Sequence, residues 1–384
     1  ILFFIGGIVL IASTGFIGLV LGRIITGAGV GIGISVDPLY ISEISPKEYR
    51  GQLVTFSEIS INIGITLGYF TGWVFSSYDA SFSWRLMLSV GVILPLLMMV
   101  LCLKVMDETP RYLMKIGESR RALGVLLTLS NTEDEANATF LEIKEAIEKD
   151  LELSRSPWRE LLCSSRPVVR RMLVVVSVVA AAQQLSGVDG IMGYMLFNLK
   201  QGGVDSPNDL FGIQLAMGVV KTSVLLLSAD AIDEKYGRRK LLFVSAIGCS
   251  ISHVIVAFGS WVSWAWLETI GFFLYAIAFS VGLGPVTWLF ASEVLPLWAR
   301  AKGMLIACSL NRLVSAIVAT SFLSMNKALT VPGNFLLFGI ITLLFAVFVH
   351  LCVPETKGKS LEEMDSQFDP PSQVLTVPSA SSSA

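Results

Sequence analysis

Seven ionisable residues stand inside or at the ends of long apolar runs of this chain: Arg23, Asp37, Glu58, Asp189, Lys221, Asp230 and Arg312. At the centre of a bilayer each would cost about 2.5–3.5 kcal/mol even on a lenient insertion scale, so such groups mark a cavity, a pair or a water path. Glu58 shares a helical face with Asn62 and Ile65, at spacings of four and three, so an acid and an amide point the same way. Gln183 and Gln184 interrupt another apolar run and are followed by Ser186, Gly187, Asp189 and Gly190. Gly282, Gly284 and Pro285 make a second glycine-rich stretch with Trp288 one turn on, and Asn311-Arg312 add further polar groups. Glycines at this density can break a membrane helix and free its backbone groups, which is tolerated only beside protein or a water-filled cavity. Amides and carboxylates hydrogen-bond several hydroxyls at once, and an indole offers a flat apolar face to a carbon skeleton. Each group alone could equally be an interhelical hydrogen bond; the set predicts a cavity for a ligand rich in hydroxyls. No Gly-x-x-x-x-Gly-Lys-Ser/Thr loop is present, which argues against ATP-driven pumping. The five cysteines, Cys102, Cys163, Cys249, Cys308 and Cys352, have no paired spacing. They read as apolar filler, and the chain is expected to carry no metal or cofactor, to bind no nucleic acid and not to be an enzyme.

These groups need membrane helices to hold them. With 53% hydrophobic and 15% charged residues and a mean hydropathy of +0.70, the chain cannot be solvated as a water-soluble globule. Runs long enough to cross about 30 Å of hydrocarbon fall near 1–14, 17–41, 52–76, 86–106, 172–199, 209–231, 241–259, 267–291, 303–326 and 333–352. Lys47 and Arg50, the segment 111–171, Lys235, Arg238, Arg239 and Lys240, Arg300 and Lys302, and Lys357 and Lys359 all fall on one side. The opposite loops, near 77–84, 201–208 and 260–266, lack Lys and Arg and display Asp79, Asp205 and an interfacial belt of Trp261, Trp264 and Trp266. The basic side is therefore predicted to be cytosolic, and the sequon Asn137-Ala138-Thr139 with it. Gly27-x-x-x-Gly31, Gly29-x-x-x-Gly33 and Gly64-x-x-x-Gly68-x-x-x-Gly72 predict faces on which helices approach closely.

The polar loops repeat. Ser42-Glu43-x-x-Pro46-x-x-x-Arg50 recurs as Ser292-Glu293-x-x-Pro296-x-x-x-Arg300, every matched position displaced by 250 residues. Asp107-Glu108-Thr109-Pro110-Arg111 is answered by Pro354-Glu355-Thr356-Lys357-Gly358. Two parallel halves in one membrane protein are a transporter signature. The expected organisation is an N-terminal bundle over 1–106, a cytosolic linker over 107–171 with short amphipathic helices around Leu141, Ile143, Ala146 and Ile147, a C-terminal bundle over 172–352, and a tail over 353–384 that is disordered from Phe368.

Arg50-Gly51 after Glu43, Asp107 to Arg111, Gln183-Gln184-Leu185-Ser186-Gly187, Gly237-Arg238-Arg239, Gly284-Pro285-Val286-Thr287-Trp288 and Pro354 to Gly358 together resemble the signature series of the sugar porter family of the major facilitator superfamily, in order from residue 1 to about 368. Glu58 where hexose carriers have Gln, Asp189 where they have Asn, Gly218-Val219-Val220-Lys221-Thr222, and Asn311-Arg312 where others have Asn-Trp are most similar to the plant-type polyol and monosaccharide proton symporters. The resemblance implies an all-α integral membrane protein with the major facilitator fold, in which Glu58, Gln183, Gln184, Asp189, Trp288 and Asn311 line a central sugar site. Asn62 joins them on the face argument. It also implies a cytosolic salt-bridge latch of Glu43, Arg50, Glu108 and Arg111 on one half with Glu234, Arg238, Arg239, Glu293 and Arg300 on the other. The usual Asp-Arg-x-Gly-Arg-Arg loop reads Asp233-Glu234-Lys235-Tyr236-Gly237-Arg238-Arg239, leaving its acid ambiguous, and Asp37, Thr109 and Tyr112 also depart from the family pattern.

Four spans precede Asp107, whereas six separate the linker from Glu355, and the chain opens within an apolar run at Ile1. The register therefore predicts that two spans of a twelve-span protein precede it, leaving about ten. Symporters of the family pair a proton-carrying Asp on the first span with an Arg that the resemblance places at Arg23, whose acid would be missing. Removing one member of a buried pair costs on the order of 3–5 kcal/mol, so these 384 residues alone are expected not to perform coupled transport. The expected function is polyol or monosaccharide transport by alternating access, proton-coupled in the full-length protein. The alternatives are a facilitative uniporter, or a non-transporting sensor or inactive fragment. The partners are the substrate, protons and lipid, and the resemblance places the plasma membrane ahead of the vacuolar one. A receptor or channel is disfavoured by the repeat and the broken helices.

Overall fold

A lipid-facing segment must satisfy its backbone polar groups internally, and helices do so within one segment. In the computed structural model the described residues of the predicted spans are accordingly helical apart from their ends and short breaks at 186–187 and 282–284. The structure describes residues 1–45, 50–130, 132–153, 167–230 and 236–357, without certain side chains in helices, among them Arg50, Glu58, Ala146 and Asp230. Glu234, Cys163 and the C-terminal tail lie outside the described residues, as do the side chains of Arg50 and Glu58.

The first half holds α1 (Leu2–Ala12), α2 (Phe16–Ile44), α3 (Arg50–Phe75) and α4 (Ala80–Lys104). Three amphipathic helices follow, α5 (Pro110–Lys115), α6 (Ser119–Leu129) and α7 (Glu133–Leu153). They bury Leu126, Ala136 and Ile143 against one another, while Leu141 faces outward. The second half holds α8 (Pro167–Leu185), α9 (Val188–Gln201), α10 (Pro207–Asp230), α11 (Arg238–Trp261), α12 (Ala265–Val281), α13 (Pro285–Val294) and α14 (Leu297–Cys352). The last of these is interrupted at Thr330 (φ 65°, ψ 163°), outside the helical region, with Pro332 just beyond, so the last two predicted spans are two helices meeting at that break. Among the described residues, seven helical stretches are long and apolar enough to cross a membrane, the last of them running through the break at Thr330, and α1 and 59–75 are shorter apolar helices.

Packing is uneven between the halves. The second buries a continuous core built from α8 to α14, whereas α2 and α4 leave most of their apolar length exposed. The two halves meet where α3 lies along α10. Thr66 Oγ1 and Thr222 Oγ1 are 3.0 Å apart there, and a Cβ added at Gly218 would come within 2.8 Å of Tyr69. The small-residue stripes behave differently from expectation. Gly29 abuts Phe3 and Gly72 abuts Phe211, but added methyls at Gly27, Gly64 and Gly68 would meet nothing within 4 Å among the described residues, because those exposed positions lie on the outward faces of their helices.

Arg85, at the end of the bundle opposite the basic loops, donates from Nε to Ile11 O (3.3 Å) and from Nη2 to Ser13 O (3.2 Å), tying α4 to the α1–α2 turn. Trp261, Trp264 and Trp266 are exposed at the same end, as an interfacial belt requires. At the basic end Thr109 caps α5, its hydroxyl accepting from Tyr112 N at 3.2 Å with Pro110 in the first turn. Thr109→Ala should lower stability by about 1 kcal/mol, read as a small drop in melting temperature.

Candidate functional site

Both predicted helix breaks are present. Between α8 and α9, Gly187 takes φ 82°, a left-handed turn that β-carbons disfavour. A Cβ there would also lie 3.1 Å from the Phe338 ring. Gly187→Ala should therefore cost at least about 1 kcal/mol and weaken ligand binding with it; thermal melting and a binding titration check both. Between α12 and α13, residues 282–284 leave the helical path before Pro285 restarts it.

Gln183 joins one break to the other. Its Nε2 donates to Leu283 O at 3.0 Å and Gly284 O at 2.9 Å, the carbonyls released by the second break. Its Oε1 accepts from Asn311 Nδ2 at 2.9 Å, and that nitrogen also reaches Ala180 O at 2.6 Å. Asn311, wholly buried on α14, accepts at Oδ1 from Arg312 Nε at 3.0 Å. Gln184, oriented to satisfy both its neighbours, donates to Asp189 Oδ2 at 3.0 Å and accepts from Arg312 Nη2 at 2.7 Å. Asp189, in the first turn of α9, also accepts from Ser315 Oγ, one turn beyond Asn311. The outcome is a continuous polar chain from Gly284 through Gln183, Asn311, Arg312 and Gln184 to Asp189 and Ser315. In it the part-buried carboxylate of Asp189 and the guanidinium of the exposed Arg312 are bridged by the Gln184 amide.

Four predicted site residues, Gln183, Gln184, Asp189 and Asn311, are thus brought together. Trp288 sits part-buried on α13, one turn after Pro285. Asn62 is buried on α3, at the seam between the halves, where its carbonyl accepts from Thr66 Oγ1 at 2.9 Å and Thr222 Oγ1 at 3.4 Å. Ser315 was not anticipated; its spacing of four from Asn311 was the available signal.

At the basic end the latch residues are only partly assembled. Arg238 grips Glu293 with two nitrogens, Nη2 at 2.9 Å and Nε at 3.2 Å. Glu293 Oε2 also accepts from Thr356 Oγ1 at 2.5 Å. Glu355 Oε1 takes the backbone N–H of Arg238 at 2.8 Å and those of Thr356 and Lys357 at 3.1 Å, capping α11 from the chain's own C-terminal motif. Glu355 and Thr356 were visible as part of an echoing motif but not as latch members. Arg239 Nη2 donates to His350 O. Arg300 Nε donates to Leu295 O at 3.3 Å, and burial draws its guanidinium below its usual range against the pull of Glu293. Glu43 is part-buried, Glu108 and Arg111 are exposed, and among the described residues none of them enters an ion pair. Arg23 is exposed on α2 and likewise has no ion pair among the described residues.

An all-helical membrane bundle of two halves, with paired helix breaks around a buried amide cluster, defines a secondary transporter. The family model for sugar (and other) transporters matches residues 1–368. "Probable polyol transporter 4" of Arabidopsis thaliana is 38% identical over 371 residues, 94% of this chain and 70% of that protein. The inward-open xylose transporter XylE from E. coli is 27% identical with a TM-score of 0.78, covering 96% of this chain and 81% of that one. The proton:xylose symporter XylE bound to 6-bromo-6-deoxy-D-glucose superposes with a TM-score of 0.75 at 27% identity, over 96% of this chain and 81% of that one. The chain belongs to the sugar porter family of the major facilitator superfamily and is not an enzyme.

Proposed function

We propose that this transporter carries a polyol or monosaccharide by alternating access and, in the full-length protein, couples its movement to protons. The observation that carries the substrate class is the polar chain running from Gln183 through Asn311 and Arg312 to Gln184 and Asp189. Its amides and carboxylate can exchange partners with ligand hydroxyls without leaving a buried group unsatisfied. Glu58 and Asn62 from the first half and Trp288 from the second complete the substrate site, the indole lying against the carbon skeleton. Two acids, Glu58 and Asp189, favour polyols, which offer many hydroxyl donors on a flexible chain. A relative 38% identical that is described as a probable polyol transporter supports the same reading. Proton coupling runs through Arg23 and draws support from the symport described for XylE.

The bundles over 1–106 and 172–352 rock about the site, with the linker over 107–171 and the basic-end residues Glu43, Arg50, Glu108, Arg111, Glu234, Arg238, Arg239, Glu293 and Arg300 acting as the latch. A network present in only one conformation biases the equilibrium even when each pair is individually weak. The plasma membrane is the proposed site of action.

Competition among inositol, sorbitol, mannitol, xylose and glucose, read by ligand-induced thermal stabilisation, tests the substrate class, and a polyol should give the largest shift. A chain stabilised by none of the five would sink the reading. Uptake by the full-length protein that ignores an imposed pH gradient would remove the proton coupling and leave a uniporter.

A further inference from the structure

α11 stands outside the polar chain, with Val244, Ile251, Val254 and Phe258 about half exposed on its outer face. Its inner face carries Ser245, Cys249 and His253 at spacings of four, all buried, forming one stripe along the helix. Ser245 Oγ accepts from Leu283 N at 2.9 Å and donates to Ala278 O at 2.7 Å. It thus holds the backbone of the α12–α13 break at the same residue, Leu283, whose carbonyl Gln183 grips together with that of Gly284. His253 is wholly buried, and its Nε2 lies 2.8 Å from Ser186 O at the α8–α9 break. A carbonyl has no proton to give, so Nε2 carries it; Nδ1 is left with no partner among the described residues. The Tyr275 hydroxyl lies 2.8 Å from Ser186 Oγ and 3.2 Å from the same carbonyl, sharing its one proton between them, and the imidazole is enclosed by the rings of Tyr275, Phe335 and Phe338.

We infer that Ser245 and His253 are positioning residues for the central site, each holding one broken helix from behind while Gln183 holds them together from within. This rests on the polyol or sugar site proposed above. Ser186 lies between Gln184 and Asp189 in sequence, so the carbonyl that His253 fixes sets where the amide and the carboxylate point. Leu283 lies one residue before Gly284, so Ser245 fixes the acceptors on which Gln183 is aligned. Neither residue hydrogen-bonds to Gln184, Asp189 or Asn311. A packing role alone would need no donor at His253: phenylalanine would fill the aromatic cage with no unsatisfied Nδ1. The histidine is retained at the cost of an orphan nitrogen, and it supplies the shorter of two side-chain contacts to a carbonyl that the helix break leaves without a backbone donor.

The test is a set of variants of the whole 384-residue chain in detergent, titrated with sorbitol, inositol and xylose by tryptophan fluorescence and melted without ligand. His253→Phe should weaken binding about tenfold. His253→Gln, whose Nε2 can stand in for the imidazole donor, should recover most of that loss, which a purely packing residue would not do. Ser245→Ala should weaken binding about fivefold with little change in the unliganded melting temperature, and it decides the matter should His253→Phe fail to fold. Unchanged affinity in both His253→Phe and Ser245→Ala, or equal loss in His253→Phe and His253→Gln, overturns the inference while leaving the central site standing. A wild-type chain that binds none of the three probes overturns the site and the inference together.

Discussion

Gln183→Leu should abolish measurable binding of sorbitol, inositol and xylose while leaving the protein folded. The glutamine satisfies Leu283 O and Gly284 O with one end and receives Asn311 with the other. Leucine fits the volume but supplies none of these partners. Among the described residues, Gly284 O loses this donor, Leu283 O keeps only Thr287 Oγ1 at 2.7 Å, and Asn311 Nδ2 is left with only Ala180 O as acceptor. Each buried group left unmatched costs about 1–3 kcal/mol. Not all of that falls on binding, because the apo protein can relax, so the expected loss is about 2–4 kcal/mol of affinity, or roughly 30- to 1,000-fold. Gln183→Glu should fare no better although its shape is nearly identical, since an ionised carboxylate has only acceptors to turn toward two carbonyls. Titration by tryptophan fluorescence, with melting curves as the folding control, separates the cases. Binding by Gln183→Leu within threefold of wild type would show that the amide is structural filler and that the substrate is held elsewhere.

That expectation could be placed on Gln183 only once the structure had distinguished it from Gln184. In the sequence the two amides are adjacent and equivalent, and helical geometry alone sends them about 100° apart without saying toward what. The coarser features were legible because their physics is local. An apolar run long enough to span must be helical, and glycines at 187, 282 and 284 must weaken a helix wherever they fall. Ser315, His253 and Ser245 were not legible for the opposite reason: a serine or histidine in a helix has many possible partners, and which one it meets depends on the rotation of a different helix. The small-residue stripes at Gly27, Gly64 and Gly68 erred in the same way, since spacing establishes that a face is smooth but not that a partner covers it. The break at Thr330 belongs with the legible features, since Pro332 separates two apolar runs in the sequence and the two helices meet there.

At the basic end, Arg238→Met should release the C-terminal motif from α11 and shift the conformational equilibrium of the bundle. Only 10% of the Arg238 side chain and 26% of the Glu293 side chain remain accessible, so this pair is screened less than an exposed one. Charge-assisted, two-nitrogen contacts of this kind are worth about 1.5–3 kcal/mol net. Methionine keeps the aliphatic stem and its packing but leaves Glu293 with Thr356 as its main remaining donor. The same cluster holds Glu355 over the first turn of α11 through the Arg238, Thr356 and Lys357 amides, so loss of the guanidinium loosens the motif as well as the pair. If the cluster exists in only one of the two transport conformations, that conformation loses the same free energy and its population ratio falls by about 10- to 100-fold. Hydrogen exchange followed by mass spectrometry reads both effects: amides of 236–240 and 354–357 should exchange faster by that factor, while those around 183–190 stay protected. Arg238→Lys keeps the charge but not the planar two-nitrogen grip, so it should fall between wild type and methionine. Unchanged exchange at 354–357 in Arg238→Met would mean that Glu355 holds the motif through backbone contacts alone, and the latch would then have to be sought at Arg239 and Arg300 instead.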